Sequence, residues 1–64
     1  MRVNGTEYGD AAGFTLDQWL SQHGYDAERI AVERNGHIVR RQNLAATKLQ
    51  SDDVLEIVSF VGGG

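Results

Sequence analysis

Met1-Arg2-Val3-Asn4-Gly5-Thr6-Glu7-Tyr8 opens the chain with its strongest local signal. Asn-Gly between short alternating segments is the preferred filling of a two-residue type I′ turn, because both central residues must adopt positive φ. The stretch therefore predicts a hairpin. Val3 and Thr6 flank the turn on one face with Met1 and Tyr8, while Arg2 and Glu7 point the other way. The same dipeptide recurs as Asn35-Gly36, between Ile30-Ala31-Val32-Glu33-Arg34 and His37-Ile38-Val39. It predicts a second hairpin with Ile30, Val32 and Val39 inward. A fifth strand is expected from Val54 to Val61, where alternation puts Leu55 and Ile57 in the core and Glu56, Val58 and Phe60 on the opposite face.

Between the hairpins the period changes from two to 3.6. Leu16, Trp19, Leu20 and His23 follow i, i+3, i+4, i+7 and share one helical face. Thr15 is a suitable N-cap, Gln18 completes a Thr-x-x-Gln capping box, and Phe14 has the staple spacing to Trp19. Asp17 and His23 suit the two ends of the helix dipole, and Gly24 supplies the left-handed residue that ends the helix after about two turns. Farther on, Arg40 to Asn43 is polar. Leu44, Ala45, Ala46 and Leu49 are expected in a short irregular or helical turn with the leucines tucked under, and Ser51-Asp52-Asp53 reads as a turn.

A helix this short does not hold in water without a sheet to pack on. The order strand, strand, helix, strand, strand, strand gives an α+β fold: a ubiquitin-like β-grasp, with a mixed four- to five-stranded sheet curled around one helix. The first and last strands are expected parallel at its centre. The 64 residues leave room for one domain, read as 1–61 with a flexible glycine tail at 62–64. Nine acidic against six basic residues give a net charge of −3, scattered along the chain, which argues against a nucleic-acid partner. The chain has no Cys, removing disulfides, thiolate metal sites and a cysteine nucleophile. No apolar run exceeds three residues, so no membrane span is expected, and a cytoplasmic location is.

Gly62-Gly63-Gly64 follows the last strand without a linker. Three glycines together have a chance on the order of a few in ten thousand at average usage. A flexible end is one reading. The functional one is mechanical: without side chains, an extended tail enters a slot too narrow for other residues, and three residues reach roughly 10 Å. A terminal carboxylate on Gly64, with a pKa of about 3.5, is ionised at neutral pH and a poor electrophile. The chain has no phosphate-binding loop with which to activate it, so activation falls to an outside enzyme.

Val3-Asn4-Gly5, the helix Thr15-Leu16-x-x-x-Leu20, Ile30-Ala31-Val32-Glu33-x-Asn35-Gly36-x-Ile38-Val39 and the ending Leu55-Glu56-Ile57-Val58-Ser59-Phe60-Val61-Gly62-Gly63-Gly64 resemble the ThiS family, the sulfur carriers of thiamin thiazole biosynthesis. The resemblance covers essentially the whole chain. It implies a carrier that is not itself an enzyme and holds no cofactor. An E1-like (ThiF-like) adenylyltransferase would consume ATP to adenylate Gly64, and a sulfur donor system would convert the adenylate to a thiocarboxylate. A ThiG-like thiazole synthase would then take the sulfur while Gly62 and Gly63 thread the tail. Two positions depart from the family pattern: Arg40 stands where Pro is frequent, and Asp52-Asp53 where Asp-Gly is frequent. The same tail also suits a small-subunit-like carrier of molybdopterin synthase, a ubiquitin-like modifier, or an interaction module.

Other polar residues suggest less. His23 and His37 lack a neighbouring ligand and predict no metal site. Asp52-Asp53 and Arg40-Arg41 read as solvated loops, and neither Thr15 nor Ser59 has a base at recognisable spacing. Val58 and Phe60, apolar and beside the tail, are the expected partner-binding residues. The alternative is that the Leu44–Leu49 segment folds back over them.

Overall fold

The structure, a computed structural model, describes residues 1–60. Five strands form one open sheet: β1 (Arg2–Val3), β2 (Thr6–Glu7), β3 (Ile30–Arg34), β4 (His37–Val39) and β5 (Val54–Ser59), in the spatial order β2-β1-β5-β3-β4. β5 is central, parallel to β1 and antiparallel to β3. Both hairpins form as read. Asn4 and Gly5 have φ of 50° and 85°, Asn35 and Gly36 of 52° and 85°, the paired positive values of a type I′ turn. The register sets Val3 opposite Thr6 and Val32 opposite Val39. β5 ends at Ser59, short of the expected Val61. Phe60 adds one more hydrogen bond, donating its N–H to the Arg29 carbonyl at 2.8 Å.

The helix, α1, spans Leu16–Gln22. At its start the Thr15 N–H donates to the Gln18 side chain at 3.0 Å and the Leu16 N–H donates to the Thr47 carbonyl at 2.8 Å. Two N-terminal donors are thereby satisfied. At its end the Gly24 N–H donates to Ser21 and the Tyr25 N–H to Leu20. This is a Schellman motif, and Gly24 at φ 79° is the left-handed residue it requires. Two 3₁₀ turns complete the chain, at Ala27–Arg29 and Arg41–Ala46. The second begins within the polar stretch, at Arg41, where the residue types suggest a solvated loop.

Leu16, Trp19 and Leu20 of α1 pack on Val3, Ile30, Val32, Leu55 and Ile57 of the sheet. Leu44 and Leu49 join the same core, so the segment between them lies under the helix side and does not fold over Val58 and Phe60. Asp53 is not a solvated turn residue: it is 3% exposed and accepts from Arg34 Nε at 3.0 Å, Asn35 Nδ2 at 2.9 Å and the Gln50 N–H at 2.9 Å. A carboxylate tolerates such burial only when its oxygens are paired, as they are here.

Candidate functional site

β5 leads into the glycine tail, so the residues that hold and surround β5 define the site. Val61, the expected threading residues Gly62 and Gly63 and the expected attachment point Gly64 lie outside the described residues.

Two asparagines clamp the strand. Asn35 donates its N–H to the Val54 carbonyl at 2.8 Å and accepts the Val54 N–H on Oδ1 at 2.9 Å. Asn4 does the equivalent with its side chain alone: Nδ2 donates to the Ile57 carbonyl at 3.0 Å and Oδ1 accepts the Ile57 N–H at 2.8 Å. The amide of Asn4 thus extends the β1 ladder by one residue beyond the backbone that ends there. Both asparagines adopt the left-handed conformation that Asn tolerates better than other side chains. The turn reading finds them, but their contact with β5 is a tertiary feature that local sequence does not carry.

The outer face of the sheet, opposite α1, carries the other expected residues. Val58 and Phe60 are 62% and 53% exposed. Ile38 and Val54 are exposed on the same face, and Ala31 lies directly across from Val58. Glu56 sits between Val54 and Val58, with Glu33 directly opposite on β3 and Ile38 opposite Glu33 on β4. The structure therefore brings Val58 and Phe60 together with Val54 and Ile38, two residues the sequence reading did not place in the patch.

A second polar cluster lies at the far end of α1. Asp10 accepts from Trp19 Nε1 at 3.2 Å and lies 3.0 Å from His23 Nε2, and the His23 ring stacks on Trp19 with centroids 4.0 Å apart. Tyr8 meets both rings edge-on. The hydrogen bond with His23, and then that from Trp19, hold the Asp10 carboxyl below its usual value. Burial pushes Asp53 up, but the Gln50 N–H, the Asn35 amide and the Arg34 guanidinium outweigh it, and its carboxyl also lies below the usual value. These groups are engaged in packing. Among the described residues no cluster of three or more His, Cys, Asp or Glu could hold a metal ion, and no helix is long and apolar enough to cross a membrane.

An open mixed sheet with a parallel central pair, packed over one helix and ending in a central strand, defines a ubiquitin-like β-grasp protein. A sequence profile of the ThiS family matches residues 1–64. The chain belongs to the ThiS family. It is 36% identical over 50 residues to the sulfur carrier protein ThiS of Bacillus subtilis, covering 78% of this chain and 76% of that one. It superposes on the crystal structure of a thiamine biosynthesis protein (ThiS) from Geobacter metallireducens with a TM-score of 0.77, at 33% identity, covering 98% of this chain and 96% of that one. It is also 42% identical over 64 residues to a thiazole synthase of Magnetococcus marinus, covering all of this chain. The chain spans only 20% of the length of that protein.

Proposed function

We propose that this chain is a sulfur carrier of thiamine biosynthesis that acts as a co-substrate in the active sites of other proteins and is not itself an enzyme. One observation carries the reading: the ThiS family profile spans the whole chain, and it does so on a β-grasp sheet whose central strand runs toward Gly62-Gly63-Gly64. The carboxylate of Gly64 attacks the α-phosphorus of ATP in an E1-like activating enzyme, forming an acyl-adenylate and releasing pyrophosphate. Sulfide-level sulfur from a donor system then attacks the acyl carbon, the C–O bond to AMP breaks, and AMP leaves a thiocarboxylate behind. ATP is consumed by the activating enzyme and none is retained on this chain.

A ThiG-like thiazole synthase is the acceptor. The presence of a segment similar to this chain within a protein named thiazole synthase supports that pairing. Val58 and Phe60 dock the partner surfaces, Gly62 and Gly63 pass through the narrow entrance to each active site, and the exchange takes place in the cytoplasm. Removing Gly64 tests the reading directly. The truncated chain should unfold within about 0.5 kcal/mol of the unaltered one, as for a change away from packed structure. It should no longer support ATP–pyrophosphate exchange by the activating enzyme. Intact mass of the chain from its native host should show a sulfur-for-oxygen exchange at a free Gly64. Sulfur transfer by the truncated chain would refute the carrier role.

A further inference from the structure

The outer face carries a charge arrangement that its own fold leaves unresolved. Glu33 and Glu56 stand directly opposite each other on adjacent strands. Side chains so placed have Cβ atoms about 4.5–5.5 Å apart, and like charges there are destabilising. Four of the other seven acids are ion-paired: Glu7 with Arg2, Asp10 with His23, Asp26 with Arg29 and Asp53 with Arg34. Among the described residues, no ion pair or hydrogen bond engages the side chain of Glu33 or Glu56.

The surroundings of the pair are largely apolar, the exception being Arg2, which lies across from Val54 on β1 and is paired with Glu7. Every large hydrophobic residue that is exposed among the described residues, namely Ile38, Val54, Val58 and Phe60, lies on this one face. Val54 and Val58 precede and follow Glu56 along β5, and Ile38 lies across from Glu33. Two adjacent carboxylates flanked along β5 and on β4 by apolar side chains form the complement of a cation that is delivered together with apolar surface. A guanidinium suits them better than an ammonium. Its planar fork of five N–H donors serves two neighbouring carboxylates at once, and its weaker hydration lowers the cost of bringing it among apolar groups. Arginine enclosed by a water-excluding apolar ring is a common centre of binding energy in protein interfaces.

We propose that Glu33 and Glu56 together accept one arginine side chain of the thiazole synthase, seated within the patch of Ile38, Val54, Val58 and Phe60. The inference rests on the carrier reading and adds the chemistry by which the synthase is recognised. It assigns to Glu33 and Glu56 a role in specificity, with the repulsion between them relieved on docking.

The test is the binding of the full chain to the thiazole synthase of its own organism, measured at low and at physiological salt. Replacing both acids (E33Q/E56Q) removes the repulsion as well as the acceptor charge. The variant should keep or raise its thermal midpoint while its Kd rises about tenfold or more, with a flatter salt dependence. E56K should bind more weakly still. Unchanged binding by E33Q/E56Q, with an unchanged salt dependence, would overturn the inference and leave the carrier reading standing. A loss confined to the association rate at low salt would also overturn it, since that reports long-range steering and not a direct contact. Failure of the unaltered chain to bind the synthase would overturn the carrier–synthase pairing, and this inference with it.

Discussion

Leu55 and Phe60 lie on opposite faces of the chain's central strand and its continuation, and substituting each by alanine separates folding from docking. Leu55 is fully buried between the sheet and α1. A Leu→Ala change at such a site removes about 2–5 kcal/mol. A domain of this size holds roughly 3–10 kcal/mol in all, taken from about 0.05–0.15 kcal/mol per residue. With about 4–8 °C of midpoint per kcal/mol in small domains, Leu55→Ala should melt about 8 °C lower or more. Phe60 is 53% exposed, so about half of its ring area is covered in the fold. At about 25 cal/mol per Å² over roughly 80 Å², that burial contributes at most about 2 kcal/mol. The retained Cβ and a partly compact unfolded chain lower the expected loss to about 1 kcal/mol or less. In binding the order reverses. Truncating an interface anchor costs about 1–2 kcal/mol, a rise of roughly 5–30-fold in Kd, so Phe60→Ala should bind the activating enzyme and the synthase more weakly. Leu55→Ala, assayed well below its midpoint, should bind almost normally. Thermal unfolding by circular dichroism and titration calorimetry give the two numbers for each variant. A Phe60→Ala chain that binds normally yet unfolds as readily as Leu55→Ala would refute the assignment of Phe60 to the docking face.

Asp53→Ala leaves the Arg34 guanidinium, the Asn35 amide and the Gln50 N–H without their acceptor, and should cost about 3–5 kcal/mol in urea unfolding at neutral pH. Because the folded-state pKa of Asp53 lies below its unfolded value, its ionisation stabilises the fold above the unfolded pKa, and this contribution is lost as pH falls through the folded pKa. Stability of the unaltered chain should therefore decline below about pH 4, and Asp53→Asn should show a shallower decline when midpoints are measured across that range. Gly63→Phe retains a terminal carboxylate but adds bulk where the tail must pass; it should fold normally and lose activation or sulfur delivery, and normal turnover would show that threading does not require glycine.

The parts of this molecule that were readable in its sequence are those that local chemistry dictates. Asn-Gly demands two positive φ values in succession, and both hairpins appear where it stands. Thr15, Gln18 and Gly24 bracket the helix through bonds made within a few residues, and alternation along β5 separates Leu55 and Ile57 from Glu56 and Val58. The burial of Asp53 is not legible locally because it is made by residues 18 and 19 positions away, which meet it only when the second hairpin turn packs against the start of β5. The role of Asn4 depends on a partner 53 positions away. Turn propensity alone would accept Gly or Asp at that position nearly as well as Asn. Of the three, only Asn carries a side-chain donor and acceptor together, and the Ile57 backbone uses both. The two Asn-Gly turns thus also act as the grips on β5, Asn35 at Val54 and Asn4 at Ile57, where β1 has run out of backbone. The strand that leads to the tail is therefore held in register up to Ile57 by side chains whose local signal says only that the chain turns.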